Sequence, residues 1–252
     1  MRLTKKQNYR NYGIEFNGKK LIAPNGLELN ELLKLGNTKI GKVWQFSTLP
    51  TALVINTKSY GAVRGTCPYT CEHCYGTCGN YCFPSVRDSL ARNAIVAREC
   101  LNWTFNALKA QLAWITKDNT KTVNVRIHVT GDFFNLDYAT MWKILAIQFP
   151  CVSFWTYTKS QYGDMFDDVP NLNVVKSVID GIGFNFGTIA YILDTYRAQT
   201  VQKFVHQGIF VGIRIEGRPT PSVRIKGAKG ATRAIKGRMG QFLIVFPICC
   251  HT

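Results

Sequence analysis

Residues Val123–Phe134 read VNVRIHVTGDFF, and the fold turns on how this stretch is understood. Val123, Val125, Ile127 and Val129 alternate with Asn124, Arg126, His128 and Thr130, the period of two expected of a β-strand with one apolar and one polar face. A parallel sheet covered by helices on both sides favours near-continuous hydrophobics. A polar face points instead to a sheet that curls, with Arg126 and His128 lining a lumen that holds ligand. The strand ends at Gly131-Asp132, and Asn135 then offers a helix cap for NLDYATMWKILAIQF; Asp132 is equally suited to capping.

Outward from this stretch, ALVIN at Ala52–Asn56 reads as the first strand. The segments Cys151–Thr158, Asn173–Val178, Ile209–Glu216 and Gln241–Phe246 read as the later ones. Arg214 and Glu216 extend the polar lumen or form an ion pair with each other. Between the first two strands, the run from Pro84 to Asn119 carries apolar residues at steps of three and four, as one long helix or a broken pair, with Cys100 a buried thiol within it. Residues Gly187–Gln207 read as a further helix. Six strands with mostly helical crossovers predict an α/β fold, a partial (β/α)6 barrel of parallel strands over residues 45–252. A short N-terminal cap, residues 1–44, precedes it, in which Leu27, Leu29, Leu32, Leu33 and Leu35 suggest a helix closed near Gly36.

Five of the nine cysteines fall in GTCPYTCEHCYGTCGNYC, Gly65–Cys82. Cys67, Cys71 and Cys74 are spaced too closely for disulfides among all three, but can converge on one soft metal centre. An iron–sulfur cluster is normally held by four thiolates, so three leave one iron open. Structural zinc needs four closed ligands, and Cys78 or Cys82 can complete that set. Both centres are compatible with the spacing. Cys78, Cys82, Cys249 and Cys250 are also candidates for a second metal site or redox chemistry.

The apolar fraction of 46% and charged fraction of 18% exclude a disordered or fibrous chain. Residues Met1–Lys20 are basic without an apolar run, so no signal peptide is expected, and no stretch is long enough to span a membrane. A reducing cytoplasm is the expected compartment, in which nine cysteines suit metal ligation and buried thiols. The net charge of +16 calls for a polyanionic partner, with nucleic acid the first candidate. The stretch Gly217–Gly240 carries Arg218, Arg224, Lys226, Lys229, Arg233, Lys236 and Arg238 without an acidic residue, and is the expected phosphate contact.

The CxxxCxxC spacing resembles the motif of radical S-adenosylmethionine (SAM) enzymes, although the residue before the third cysteine, often aromatic there, is His73, with Tyr75 following. The chain also resembles the phage gene product 88 family of radical-SAM-like proteins. That likeness rests on Cys74-Tyr75, FPSVRDSLARN, RIHVTGDFF and FWTYTKS, blocks between about Trp44 and Ser160. The resemblance implies a [4Fe–4S] cluster on Cys67, Cys71 and Cys74, with SAM on the open iron. It also implies Thr130-Gly131-Asp132 in the place of a Gly-Gly-Glu-like motif that receives the SAM amino group. Lys159 is then placed to pair with the SAM carboxylate, Ser177 to bond its ribose, and Trp155 or Tyr157 to stack on adenine. A flavodoxin- or ferredoxin-like electron donor and the cytoplasm of a phage host follow from the same likeness, which leaves the substrate unspecified. The reading from another class is a non-catalytic, zinc-stabilised nucleic-acid-binding protein.

Overall fold

The computed structural model describes residues 3–36, 43–70, 74–117, 123–178, 189–193, 210–213, 235–236 and 242–243. Helix α1 (Lys5–Asn11) begins at Thr4, whose hydroxyl accepts the Gln7 N–H while the Gln7 side chain accepts the Thr4 N–H, so two orphan donors are satisfied reciprocally. Three short strands follow, β1 (Glu15–Phe16), β2 (Leu21–Ile22) and β3 (Glu28–Leu29), and pair antiparallel as a separate sheet.

The helix expected over Leu27–Leu35 does not form. Leu29 lies in β3, and Leu35 in β4 (Lys34–Leu35), which pairs antiparallel with β5 (Val43–Phe46). Leu32 and Leu33 are buried in the core between them. The Leu33 N–H donates to Gln111 at 2.9 Å. Burial of three leucines and pairing of the backbone outweigh a spacing that also fits a helix.

Residues Ala52–Asn56 are not the leading strand either. The hairpin of β6 (Val54–Thr57) and β7 (Gly61–Arg64) forms its own antiparallel sheet, and β5 leads the large sheet instead. After the cysteine segment, Pro84 opens α2 (Pro84–Glu99), and α3 (Leu101–Thr116) follows from a break at Cys100, so the broken pair is what forms. The large sheet then takes β8 (Val123–Ile127), β9 (Val152–Thr158), β10 (Leu172–Val178), β11 (Ile189–Leu193) and β12 (Phe210–Ile213). Its order is β12-β11-β10-β9-β8-β5-β4. Pairing is parallel from β5 to β12 and antiparallel at the β4 edge. Strand β11 occupies the beginning of the stretch read as a helix over Gly187–Gln207, and the rest of that stretch lies outside the described residues. The final strands, β13 (Ile235–Lys236) and β14 (Phe242–Leu243), pair antiparallel with each other instead of adding a sixth parallel strand.

The expected partial (β/α)6 barrel is therefore corrected. The protein is mixed α/β with four sheets; three are antiparallel, the largest is an open mixed row, and no barrel closes among the described residues. The crossovers also depart from a repeated unit: α4 (Leu136–Gln148) joins β8 to β9, but a 3-10 segment at Gln161–Phe166 joins β9 to β10. The polar strand face that suggested a lumen is accounted for by contacts within the sheet. The Arg126 guanidinium lies over the Trp155 ring at 4.8 Å and the Tyr157 ring at 5.8 Å.

On the opposite face, Phe46, Val125, Ile127 and Phe154 pack with Leu108 of α3 and with Tyr138, Trp142 and Leu145 of α4, and Tyr9, Leu21 and Leu29 join the same core. A smaller cluster of Leu49, Val63, Leu90, Ala91 and Ala94 seats the hairpin on α2. Asn135 caps α4, accepting the Tyr138 N–H at 2.8 Å. At its other end the Asn171 amide donates to the carbonyls of Ala146, Phe149 and Val152 at 2.9, 3.0 and 2.9 Å. Asn171→Ala is expected to lower stability by about 1–3 kcal/mol in urea unfolding, since these carbonyls lose a side-chain donor together, Ala146 and Phe149 keeping only backbone N–H partners; an unchanged midpoint would show that water replaces it.

Candidate functional site

The cysteine segment is rooted on the carboxyl ends of β5 and β8 by a braid of threonines. The Thr48 N–H donates to the Thr130 carbonyl at 3.1 Å, and the Thr130 hydroxyl donates back to the Thr48 carbonyl at 2.9 Å. Thr66, one residue before Cys67, sends its N–H and its hydroxyl to the Leu49 carbonyl at 2.9 and 3.0 Å. The single hydroxyl proton of Thr66 is thus committed, and Thr48 Oγ1, 2.7 Å away, is the donor to Thr66. The Cys67 N–H continues the pattern onto the Thr51 carbonyl at 3.1 Å.

Glycine permits this closeness at two points. A Cβ on Gly65 would meet the Pro50 and Thr51 carbonyl oxygens at 2.0 and 2.1 Å. On Gly131, held at φ +85°, it would meet Thr48 Oγ1 at 2.0 Å and Thr66 Oγ1 at 2.6 Å. Arg98 of α2 clamps the entry, donating to the carbonyls of Arg64 and Gly65 at 2.5 and 2.7 Å, and its guanidinium lies 5.1 Å from the Phe134 ring. Burial, then the charge of Arg64, pulls the Arg98 pKa down.

Of the expected ligands, Cys67 and Cys74 are half-buried on this segment, and Cys71 lies outside the described residues. Cys78 is buried, and the exposed Cys82 thiol donates to the Thr77 carbonyl at 3.0 Å. Among the described residues no three His, Cys, Asp or Glu side chains gather around one point. Burial raises the Tyr81 pKa, the Arg126 charge opposes that rise and Cys78 adds to it. A cleft of about 270 Å³ opens between the segment, the hairpin and α2, lined by Pro50, Leu53, Ile55, Thr70, Tyr81 and Leu90 among others.

Gly131, Asp132 and Lys159 are brought together where β8 and β9 end. Asp132 is buried and fully engaged by its own chain: Oδ1 accepts the Thr158 hydroxyl at 2.6 Å and the Phe133 N–H at 2.8 Å, and Oδ2 accepts the Lys159 N–H at 2.8 Å. It caps no helix; Asn135 does that. Burial pushes its pKa up to about 6, against the pull of those hydrogen bonds. The Ser177 backbone is in β10, opposite Ala190 of β11, and its side chain lies outside the described residues. The basic stretch Gly217–Gly240 is likewise outside them, apart from the backbone of β13, which holds Lys236. Arg214, Glu216, Cys249 and Cys250 are outside as well.

His128 does not line the polar face. Its φ of +60° ends the alternation of β8 and turns the ring into the core, 4.8 Å from Phe133 and 5.6 Å from Tyr138, with Nε2 at 2.8 Å from the Tyr138 hydroxyl. Nδ1 is buried with no partner among the described residues. An imidazolium would need an acceptor at both nitrogens, so burial, assisted by the Arg126 charge, lowers its pKa to about 3.

The roles of Thr48 and Thr66 in the braid, of Arg98 at its entry and of Thr158 on Asp132 escaped the sequence reading. The paired dipeptides Gly65-Thr66 and Thr130-Gly131 are the one trace of it in the sequence. No helix among the described residues is long and apolar enough to cross a membrane. A family model described as Gene product 88 matches residues 30–203, about two thirds of the chain. No curated protein and no solved structure matches.

Proposed function

We propose, for a chain that belongs to the gene product 88 family, that Cys67, Cys71 and Cys74 hold a [4Fe–4S] cluster and that the protein is of radical-SAM type, acting on a substrate that includes nucleic acid. The observation that carries this reading is the root of the cysteine segment on the carboxyl ends of two adjacent parallel strands, where open α/β sheets take their ligands. The donor set fits: soft thiolates suit iron–sulfur ligation, and the segment is seated so closely that Gly65 has no room for a Cβ.

When bound and reduced, such a cluster supplies the electron that splits SAM into methionine and a 5′-deoxyadenosyl radical. This chain's residues then have distinct tasks. The threonine braid fixes the cysteine segment on the sheet. Asp132, saturated by Thr158, Phe133 and Lys159, aligns the ends of β8 and β9 and places Lys159 beside Gly131. In this reading backbone carbonyls near Gly131 would receive the SAM amino group, Lys159 its carboxylate and Ser177 its ribose. Trp155 and Tyr157, already under a cation at Arg126, supply flat surface for adenine. A flavodoxin- or ferredoxin-like partner would deliver the electron in the host cytoplasm, and the charge of +16 supports a polyanionic substrate.

Anaerobic purification tests the centre. The expected protein is brown with about four irons, and Cys71→Ala is expected to lose the visible absorption while keeping the near-ultraviolet circular dichroism of the fold. Colourless wild type with one zinc closed by Cys78 or Cys82 would replace this reading with the zinc-stabilised nucleic-acid-binding protein. A reduced, iron-loaded protein that yields no 5′-deoxyadenosine from SAM would remove the enzymatic half alone.

A further inference from the structure

Lys34 at the β4 edge and Arg92 of α2 converge on one hydroxyl. The Lys34 ammonium donates to Ser89 Oγ at 2.9 Å, and Arg92 Nη2 reaches the same oxygen at 3.4 Å. Arg92 Nε is buried and has no acceptor among the described residues. The carboxylate next to Ser89 is turned away. Asp88 accepts the N–H groups of Lys58 and Ser59 at 2.9 and 3.2 Å and the Ser59 hydroxyl at 2.5 Å, all in the hairpin turn. Neither Lys34 nor Arg92 is in an ion pair among the described residues. A hydroxyl oxygen offers lone pairs but no charge, so two cations share an acceptor that neutralises neither. Burial, then the Arg92 charge, accordingly lowers the Lys34 pKa.

We propose that Lys34, Ser89 and Arg92 form a notch for a phosphate group, and that the phosphate belongs to a nucleic-acid backbone. The donor set matches a tetrahedral oxyanion. Arg92 offers Nη2 as a charged donor, Lys34 adds a mobile point charge, and the Ser89 hydroxyl can turn its proton outward. The notch opens at the surface, with Lys34 exposed and Arg92 half-buried. A long polyanion can run past such a site, whereas a small phosphorylated metabolite is held in an enclosing pocket. The chain's charge of +16 supplies the wider attraction. This proposal deepens the nucleic-acid side of the reading above and is independent of the cluster.

The test is anisotropy of a labelled oligonucleotide with the full chain across a salt series, comparing wild type with the double variant Lys34→Gln/Arg92→Gln. The double variant is expected to flatten the log–log salt slope by about one, for the one phosphate the notch holds, and to weaken binding about 10- to 100-fold at low salt, while Lys34→Arg keeps the wild-type slope. Inorganic phosphate is expected to raise the wild-type Tm and not that of the double variant. Without phosphate the double variant is expected to melt no earlier than wild type, because a like-charge contact has been removed. Wild type that ignores the oligonucleotide would sink the polyanion reading itself. Binding with an unchanged slope in the double variant and no phosphate protection of wild type would overturn the notch alone, whereas that unchanged slope with phosphate protection specific to wild type would keep the notch and overturn its nucleic-acid assignment.

Discussion

Gly131→Ala is expected to cost about 3–8 kcal/mol, a large share of the 5–15 kcal/mol that holds a typical domain together. Three effects add. A left-handed backbone costs an L-residue about 1–2 kcal/mol, and Gly131 sits at φ +85°. The new Cβ would fall 2.0 Å from Thr48 Oγ1 and 2.6 Å from Thr66 Oγ1, and forced overpacking of that kind costs about 1–3 kcal/mol. Neither hydroxyl can rotate away without losing a bond. Thr48 donates to Thr66 and Thr66 to the Leu49 carbonyl, so a broken link leaves a buried polar group unsatisfied, at about 1–3 kcal/mol more.

Gly61→Ala separates strain from collision. Gly61 has a comparable φ of +63° with nothing within 4 Å of a built Cβ, so it is expected to cost about 1–2 kcal/mol. Combining Gly131→Ala with Thr48→Ala is expected to recover about 1–2 kcal/mol relative to the sum of the single changes, as coupled neighbours do. Urea unfolding of the wild type, the three single variants, Thr48→Ala among them, and the double variant decides the matter. A Gly131→Ala variant no less stable than Gly61→Ala would mean that the cysteine segment is not pinned through this glycine.

The same residues show what the sequence made legible. Alternation over Val123–Ile127 places Val125 and Ile127 in the core and Arg126 on the other face, as observed, because a pleated strand has a fixed period. It misplaces His128, since one residue at φ +60° reverses a side chain without altering the pattern of residue types. The barrel expectation failed for a related reason. A polar strand position reads as facing a ligand space, while Arg126 rests on the aromatic faces of Trp155 and Tyr157. The leucines of 27–35 carry a spacing shared by a helix and by two strands with buried turns, and only the partners β2 and β5 decide between them. The cysteine segment was plain as a motif. Its attachment was not, because Thr48, Thr66 and Thr130 are far apart in sequence and each is an unremarkable residue until the strands are adjacent.

Stability between pH 7 and pH 4 is expected to be nearly flat in the wild type and to tilt in opposite directions in two variants. His128 has its pKa lowered from 6.5 to about 3. Below pH 6.5 the unfolded chain therefore binds a proton that the folded chain refuses, and stability falls on acidification, by about 3 kcal/mol at pH 4. Asp132 has its pKa raised from 3.8 to about 6. Between those values the folded chain holds the extra proton, so stability rises as the pH falls, by about 2 kcal/mol at pH 4. The carboxyl groups of Asp88 and Asp168 are lowered from 3.8, so their losses come below this window. Asp132→Asn removes the compensating group, and its stability is expected to drop by about 3 kcal/mol from pH 7 to pH 4. His128→Asn keeps a residue that tolerates positive φ and removes the other titration; it is expected to become about 2 kcal/mol more stable over the same interval. Each variant shifts the baseline through lost contacts, so the slope is the readout, taken by urea unfolding at several pH values. Parallel slopes in all three proteins would mean that neither buried group holds the protonation state assigned to it, and with that the account of Asp132 as a clamp between β8 and β9 would lose its electrostatic basis.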